Sequence, residues 1–527
     1  MHDFSAEFER LATNTPEEQL KELRKKGFNA FEGGLNAVDP VNLINNALKW
    51  NDDDRNGSDQ LLLTVIGYNG SVSQRFSLAM GEYKKVLIIG GGKATAAMAK
   101  TAVETIGARI PCYGLINVPH GQDHGNKITS QCDKDEFVSI NYAAHPIPDD
   151  AGLQGTKKMM EFAENAKDDV FVITMISGGG SALMPYPREP LNLSDLQEVN
   201  KILLESGASI NEVNAVRKHL SGFKGGNLAR SIFPCKSISL IISDVIGDPL
   251  DVIASGPTVP DESTFHIAND VIEKYNISDK MPKTALNLIQ AGVKGDLEET
   301  PKSGDDVFSR NVNLIIGSAE IAKQQMKKIL NNQGCISISE FGDGADIPSL
   351  TTLSGEAREF GEHLISILKK ARKQLQLVSD ETENTQDDLE SRVCNAYYTL
   401  NSGEFTVTIQ GNGRGGRNQE MLLGLLSKIN KTDLEGIDYA VISMAFDGIE
   451  GNSPAAGGVI DSKSLERAKE RKLDIAAHLK NNDSYGFFKE LDDAVEIGQS
   501  GTNTNDICLL LVSPNSKQSW NLADLDK

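Results

Sequence analysis

The stretch Lys85-Val86-Leu87-Ile88-Ile89-Gly90-Gly91-Gly92-Lys93 is an apolar run that ends in three glycines and a lysine. A second apolar run, Val170-Phe171-Val172-Ile173, precedes the glycine-rich stretch Ile176-Ser177-Gly178-Gly179-Gly180-Ser181 in the same way. A short apolar run without alternation predicts a buried strand of a parallel sheet. Glycines between such a strand and a helix bring backbone N–H groups to one point, where the helix dipole favours an anion. Both loops therefore predict anion sites.

A third glycine-rich stretch lies far along the chain and carries two arginines, Gly411-Asn412-Gly413-Arg414-Gly415-Gly416-Arg417. Three such loops in one chain indicate a polyanionic ligand such as a nucleoside triphosphate. The formal net charge of −21 repels nucleic acid and anionic membranes, so neither is expected as a partner. No apolar run approaches the ~20 residues that a membrane span needs.

The length of 527 residues exceeds the size of one comfortable core and predicts several domains. Residues 1–80 are predicted to be mainly helical and to pack on the first domain. Alternating strands and helices predict an α/β domain over 81–300, closed by an acidic break at 296–312. A second α/β domain is predicted over 310–515, with an acidic loop insert at about 379–390. Each domain is expected to hold a mostly parallel sheet flanked by helices.

The six cysteines are scattered, without a close pair at metal-ligand spacing, and predict reduced thiols. The N-terminus, Met1-His2-Asp3-Phe4, carries an early acid and lacks a signal-peptide core. Both features favour a cytoplasmic protein, with the mitochondrion left open as a second location.

The first loop fits neither of two known phosphate-binding patterns. The third glycine of a dinucleotide fingerprint falls on Thr95, and a Walker A loop would need glycine at Leu87 and a hydroxyl at Ala94. What remains is Lys93 on the first turn of a predicted helix. It is either an anion ligand or a structural lysine on an exposed helix start.

Two further segments of the first domain carry candidate ligands. Residues 211–221 contain Asn214, Arg217 and Lys218, of which Arg217 can hold a carboxylate or phosphate at two points. Asp244 and Asp248 follow a predicted buried strand near residue 240, and ligands of open α/β sheets bind at that end. Asp244 could accept a proton from a hydroxyl or hold Mg²⁺, and Asp248 could serve the same metal. A solvated helix face and turn-capping aspartates are the structural alternatives.

In the second domain, Arg414 and Arg417 are spaced so that both could face a phosphate, and Asp447 closes another predicted strand. His120 and His145 stand beside glycine or proline turns. Structural or substrate-contact roles are favoured over metal binding for both histidines.

These motifs, in this order, resemble those of the type II glycerate kinase family over roughly residues 85–510. Its N-terminal motifs match Gly90–Lys93, His145-Pro146, Ser177–Leu183, Asn214–Leu220 and Ser243–Thr258. Its C-terminal MOFRL motifs match Gly403-Glu404, Gly413–Glu420, Asp447-Gly448, Ala455–Gly457 and Gly501–Asn503. The resemblance implies a Rossmann-like domain followed by a MOFRL-type domain, with the active site in the cleft between them. It also implies that the protein is an ATP-dependent kinase that uses Mg²⁺ and phosphorylates D-glycerate.

By motif match, the resemblance implies that Lys93, Asp244 and Arg417 are catalytic. The other implied ATP and substrate contacts are Gly91, Gly92, Ser177, Gly178, Gly179, Gly180, Ser181, Asn214, Arg217, Lys218, Arg414 and Asp447, and the implied Mg²⁺ ligands are Asp244 and Asp248. Two motifs depart from the family pattern. Ser402 precedes Gly403-Glu404 in place of glycine, and Glu450-Gly451-Asn452-Ser453 replaces Asp-Gly-Pro-Thr.

Two other functions stay open at this point. An NAD(P)-dependent hydroxypyruvate reductase is opposed by the missing third glycine and by the absence of a ribose-binding acid at Asn117-Val118. A non-catalytic sugar-acid or nucleotide binder is supported by the altered residues 450–453. The sequence does not decide between 2-phosphoglycerate and 3-phosphoglycerate as the product, and it leaves a homodimer among the possible oligomeric states.

Overall fold

The computed structural model describes residues 4–50, 62–69, 72–121, 124–338, 352–382 and 396–515. The chain divides into two compact units. The first unit is Pro40–Ser318, and the second unit combines Met1–Asp39 with Ala319–Lys527. Each unit contains one sheet, and the predicted two-domain α/β architecture is confirmed.

The first unit contains a ten-stranded sheet with the order β1-β2-β10-β9-β8-β4-β5-β7-β6, in which β3 pairs with β2. The six strands from β10 to β7 along this order are parallel to one another, as predicted, and antiparallel strands close both edges. The strands are β1 (Leu48–Trp50), β2 (Leu62–Asn69), β3 (Val72–Ala79), β4 (Lys85–Gly91), β5 (Cys112–Pro119), β6 (Lys127–Thr129), β7 (Phe137–Ala143), β8 (Val170–Ile176), β9 (Ser237–Ile242) and β10 (Asn311–Gly317).

The second unit contains a seven-stranded sheet with the order β11-β13-β17-β14-β15-β16, in which β12 pairs with β13. Its strands are β11 (Ile336–Ser337), β12 (Thr352–Leu353), β13 (Tyr397–Gly403), β14 (Ile437–Ala445), β15 (Gly457–Asp461), β16 (Ala494–Val495) and β17 (Asp506–Pro514).

The two sheets are accompanied by α-helices of 4 to 26 residues. In chain order they are α1 (Ser5–Thr13), α2 (Glu18–Ala37), α3 (Pro40–Ala47), α4 (Thr95–Ile106), α5 (Asp150–Asn165), α6 (Gly180–Leu183), α7 (Leu193–Glu205), α8 (Ile210–His219), α9 (Asn227–Ile232), α10 (Phe265–Lys274), α11 (Lys283–Val293), α12 (Ala319–Asn332), α13 (Ala357–Thr382), α14 (Arg417–Lys428), α15 (Ser464–Glu470), α16 (Ile475–Lys480) and α17 (Ser484–Glu490). Among the described helices, none combines the length and the apolar character that crossing a bilayer requires.

The prediction of a mostly parallel sheet is wrong for the second unit. Strands β13, β17, β14 and β15 pair antiparallel, and only the two-residue strands β11 and β12 lie parallel to β13. Strand β14 is buried along its whole length. An antiparallel strand covered on both faces has the continuous apolar pattern of a parallel one, so the sequence does not distinguish them.

The N-terminal helices α1 and α2 belong to the second unit, whereas the sequence predicted that residues 1–80 pack on the first domain. Arg24 of α2 is fully buried and forms ion pairs of 2.7 Å with Asp461 and 2.8 Å with Asp493. A Cβ at Gly27 would come within 2.5 Å of the Ile442 side chain on β14. Ion pairing and close packing thus hold α2 on a partner more than 400 positions away.

The other predicted boundaries also differ from the structure. Strand β10, predicted to open the second domain, pairs with β9 in the first sheet, and the division falls after Ser318. Strands β1, β2 and β3 lie where helix was predicted. Of the predicted insert at 379–390, helix α13 includes the part up to Thr382, and residues 383–390 lie outside the described residues.

The first sheet reverses its order of connection between β4 and β8. Strand β4 connects through α4 to β5 on one side, while β7 connects through α5 to β8 on the other. In open α/β sheets, ligands bind in the crevice beyond the carboxyl ends of the strands at such a reversal. The two glycine-rich loops of the first unit follow β4 and β8, so both lie at this point.

Candidate active site

The carboxyl ends of β4, β8 and β9 meet at one edge of the first sheet. Ile176, the last residue of β8, is the register partner of both Gly91 on β4 and Ile241 on β9. The structure therefore brings together the loops that carry Lys93, Ser177–Ser181 and Asp244, as the sequence predicted.

The first glycine-rich loop uses its amides within the protein. The N–H groups of Gly92, Lys93 and Ala94 donate to Asn117 O at 3.1 Å, Gly178 O at 2.9 Å and Ser177 Oγ at 3.1 Å. These three groups are not available to an anion, and this corrects the expectation of an amide cradle there. What the loop offers a ligand is the Lys93 side chain.

The glycines of this loop allow β4 and β8 to approach closely. Gly90 and Gly92 have φ values of +147° and +148°, which favour glycine. A Cβ at Gly90 would lie 1.9 Å from Met175 O, and one at Gly92 would lie 2.1 Å from Ser177 Oγ. Ser177, predicted to bind ligand, is 1% exposed, and its hydroxyl is used at the start of α4.

Three backbone amides of the second glycine-rich loop are not used in hydrogen bonds within the described part of the protein. Within the described part of the chain, the backbone N–H groups of Gly178, Gly179 and Ser181 have no acceptor. Gly178 is buried, and nearly all buried N–H groups in folded proteins have a partner. Gly180 is different, because its N–H donates to Ser177 O at 3.1 Å. This loop therefore has the open donors that an anion requires.

Lys93 and His145 lie on one side of the second loop. A Cβ at Gly179 would come 2.9 Å from the imidazole Cδ2 of His145. Desolvation, and then the positive charge of Lys93, lower the pKa of His145 below its ordinary value. The imidazole is consequently neutral at pH 7, and Lys93 is the positive charge on this side.

The two basic residues of α8, Lys218 and Arg217, differ in their partners. Lys218 is paired with carboxylates, whereas Arg217 has no carboxylate partner among the described residues. Lys218 is 4% exposed and pairs with Asp261 at 3.3 Å and Asp251 at 3.5 Å. Its predicted role as a ligand contact is therefore at odds with the structure, since two carboxylates already balance its charge. Arg217 donates from Nε to Asn200 Oδ1 at 2.6 Å, and burial lowers the pKa of its guanidinium.

Lys224, which the sequence interpretation did not select, contacts the second loop at Ser181. It is 6% exposed, and its Nζ donates to Ser181 O at 2.7 Å. Burial, and then the positive charge of Arg217, lower the pKa of Lys224 to about 7. One signal was present in the sequence: residues 213–243 contain no aspartate or glutamate, in a chain with 74 acidic residues.

A chain of hydroxyl and amide groups continues from the second loop into a strained turn. Ser181 Oγ lies 3.2 Å from Ser255 Oγ, and Ser255 donates to Asn214 Oδ1 at 3.1 Å. Ala254 and Ser255 have φ values of +50° and +60°, which cost energy for residues with a side chain. Such strain concentrates at binding sites, and here it lies beside the open amides of the second loop.

Asp244 and Asp248 follow β9, and both are partly exposed. No group of three or more histidine, cysteine or acidic side chains arranged for a metal occurs within the described ranges. Mg²⁺ in kinase sites is held by one or two carboxylates together with substrate phosphates. Two carboxylates at the crevice fit that mode and do not form a separate metal site.

The third glycine-rich loop also uses its amides within the protein. The N–H groups of Asn412, Gly413, Arg414 and Gly415 donate to acceptors at 2.8–3.2 Å on Asn481, Asp483 and Asn452. The glycines permit this packing, because a Cβ at Gly411 would lie 2.4 Å from Asn481 O. The loop therefore presents arginine side chains to a ligand and leaves none of these four amides open.

The two arginines of this loop differ in their partners. Arg417 forms a two-point ion pair with the buried Asp506, with Nη2 at 2.8 Å from Oδ1, and pairs with Glu404 at 2.5 Å. Arg414 is exposed, lies 5.1 Å from the ring centre of Tyr485, and has no carboxylate partner for its guanidinium among the described residues. Two carboxylates thus balance the charge of Arg417, which was predicted to be catalytic. Among the described residues, no carboxylate balances the charge of Arg414.

The altered stretch after Asp447 has a structural explanation. Glu450 is 4% exposed, and its carboxylate accepts hydrogen bonds from the Asn418 N–H at 2.7 Å and the Gln419 N–H at 3.0 Å. These amides open α14, so the glutamate caps this helix. Burial, and then the charge of Asp506, raise the pKa of Glu450 to about 8. Asp447 is half-buried, and its carbonyl accepts from the Ser500 N–H at 3.0 Å.

Comparison with known proteins assigns the chain to a family. The model of a domain of unknown function, DUF4147, matches residues 28–290, and that of the MOFRL family matches residues 397–506. The D-glycerate 2-kinase of Thermotoga maritima is 35% identical over 431 residues, which cover 81% of this chain and 91% of that protein. The glycerate 2-kinase of Pyrococcus horikoshii is 33% identical over 498 residues, covering 93% and 98%.

A solved structure agrees with these relatives. The crystal structure of glycerate kinase from Thermotoga maritima superposes with a TM-score of 0.70 at 30% sequence identity. The match covers 93% of this chain and all of that chain. Similarity of this extent includes both units.

Proposed function

Because the chain belongs to the type II glycerate kinase family, we propose that it transfers the γ-phosphoryl group of ATP to D-glycerate at the β4–β8 crevice of the first unit. One observation carries this location: the open N–H groups of Gly178, Gly179 and Ser181 belong to a loop that Lys93 contacts at Gly178 and Lys224 contacts at Ser181. Phosphoryl transfer requires mainly positioning and charge stabilisation, and fixed amides with nearby cations supply both.

Lys93 is assigned to the transferring phosphoryl group. It stands on the loop after β4, close enough to His145 that its positive charge adds to desolvation in lowering the pKa of that imidazole. A preorganised cation stabilises the negative charge that develops on the phosphoryl oxygens in the transition state. Asp244, which follows β9 on the far side of β8 from β4, is assigned to orient the attacking hydroxyl and accept its proton.

Arg217 is assigned to the substrate carboxylate. Its Nε donates to Asn200, and within the described residues neither Nη group has an acceptor, so both can make a two-point contact with an anion. Lys218 is not assigned this role, because it is paired with two aspartates.

Asp244 and Asp248 would hold Mg²⁺ together with the ATP phosphates. When bound, the ion neutralises charge on the β- and γ-phosphate oxygens. For the second unit, we assign Arg414 to contact with a phosphate and Arg417 to support of its own loop, since only Arg417 is paired with carboxylates.

The experiment is incubation of the protein with D-glycerate and either ATP-Mg²⁺ or NAD⁺. The proposal predicts ADP release and a new phosphomonoester in the phosphorus NMR spectrum, which also identifies the phosphorylated hydroxyl. NADH formation without ADP would support the reductase instead. Thermal stabilisation by both ligands without any turnover would support a binding protein, and either result would overturn the proposed activity.

A further inference from the structure

The most unusual charged group of the first unit is Lys224. It is 6% exposed, and within the residues that the structure describes no carboxylate forms an ion pair with it. After burial, the positive charge of Arg217 is what lowers the pKa of Lys224. Within the described residues, Arg217 itself forms no ion pair. The next basic residue, Lys218, is balanced by Asp251 and Asp261. Two neighbouring cations without a countercharge are costly to bury unless a ligand supplies the negative charge.

The position of Lys224 relates this pair to the second glycine-rich loop. Its Nζ donates to Ser181 O at 2.7 Å, while the N–H of the same Ser181 has no acceptor within the described ranges. Ser181 Oγ lies 3.2 Å from Ser255 Oγ, which adds a hydroxyl to this side of the loop. Cations, an open amide and hydroxyls thus converge at one place.

Two positively charged positions therefore adjoin the loop. Lys93 lies near His145 and Gly179, whereas Lys224 donates to Ser181 O and has Arg217 within electrostatic reach. The proposed reaction brings two anionic groups together, the transferring phosphoryl group and the carboxylate of glycerate. With Lys93 assigned to the phosphoryl group, the second position is left for the carboxylate.

We propose that Lys224 and Arg217 form one buried subsite that binds the carboxylate of the sugar-acid substrate, with Ser181 as a hydrogen-bonding partner. This inference rests on the proposed function for the identity of the substrate. Binding of an anion favours the charged form of an amine, so occupation of the subsite should raise the lowered pKa of Lys224. The free protein would then take up a proton when D-glycerate binds at pH 8.

The first test is the kinetics of Lys224→Met, which keeps the length of the side chain and removes its charge. We expect the KM for D-glycerate to rise about 10- to 100-fold, the effect of losing one charged hydrogen bond, while the KM for ATP stays within about twofold. Lys201→Met is the matched control, because Lys201 is an exposed lysine of the same unit. A raised KM for ATP with an unchanged KM for D-glycerate would assign the subsite to a phosphate and overturn the proposal.

The second test needs no variant and no turnover. Titration calorimetry of the unmodified protein with D-glycerate alone, at pH 8 in two buffers of different ionisation enthalpy, measures the protons exchanged. We expect uptake of about half a proton or more. Binding without proton uptake would overturn the subsite even if the protein is a kinase. Uptake without any phosphorylation would support the subsite while the proposed function fails.

Discussion

Arg417 and Asp506 form a two-point ion pair in the second unit, and Asp506 is completely buried. The pair joins the first turn of α14 to the first residue of β17, and Glu404 adds a third charge from the end of β13. The arginine that the family motif marks as catalytic is thus part of an ion-pair network inside its own unit.

Replacement of Arg417 by leucine should destabilise the second unit. The change leaves the Asp506 carboxylate buried without a partner, and we expect a loss of about 2–3 kcal/mol in the free energy of unfolding. The value lies below that for a fully buried pair because the Arg417 side chain is 30% exposed. Urea denaturation followed by circular dichroism measures the change.

Arg414→Leu is the matched control from the same loop. Its guanidinium is exposed, so we expect an unfolding free energy within about 0.5 kcal/mol of the original protein, with reduced turnover. A stable Arg417→Leu protein that loses its activity would contradict this division of roles and restore Arg417 as the phosphate contact.

Lys93→Ala should lower kcat by about 10²- to 10³-fold, because one preorganised charge is removed from the transferring phosphoryl group. The side chain is only half-buried, so the melting temperature should change little. Lys100→Ala is the control, because Lys100 is an exposed lysine on helix α4, which follows the Lys93 loop, and this variant should retain its activity. Near-normal turnover of Lys93→Ala in the coupled ADP assay would refute the assignment.

Lys218→Met should affect folding more than substrate binding. It leaves Asp261, which is fully buried, without its cation, and we expect the unfolding free energy to fall by about 3–5 kcal/mol. Kinetics of the protein that remains folded at low temperature should show a KM for D-glycerate close to the original. A large rise in that KM with unchanged stability would return Lys218 to the substrate site.

Stability should depend on pH through Lys224. Its folded-state pKa of about 7 lies below the ordinary value of about 10.4 for an unfolded chain, so the unfolded state binds more protons between these values. The free energy of unfolding should therefore rise with pH across this interval, by at most about 1.4 kcal/mol per pH unit, relative to Lys224→Met. Urea denaturation of both proteins at pH 7 and pH 9 measures the difference. Parallel behaviour of the two proteins would show that Lys224 is not desolvated.

The meeting of the two glycine-rich loops of the first unit could be predicted because their pattern is local. An apolar run followed by glycines marks the ends of β4 and β8, and parallel strands place those ends at one edge. The use of the amides could not be predicted. The acceptors for Gly92 and Ala94 are Asn117 and Ser177, which the fold brings from other strands. The sequence marks where N–H groups gather, but only the structure shows which of them are already bonded.

The partners of the charged side chains were the other property that the sequence left undetermined. Lys218 and Lys224 both stand among cations, yet Lys218 meets Asp261 from more than 40 positions away and Lys224 meets no acid in the described structure. Long-range partners also decided the place of α2, whose Arg24 pairs with Asp461 and Asp493. Each of these outcomes depends on tertiary contacts.

The proposed site depends most on the open amides of the second glycine-rich loop, and a crystal structure with D-glycerate and a non-hydrolysable ATP analogue tests them directly. We predict a carboxylate or phosphate oxygen within about 3.2 Å of the backbone nitrogen of at least two of Gly178, Gly179 and Ser181. Both ligands bound elsewhere, with these three N–H groups bonded only to water, would contradict the central claim.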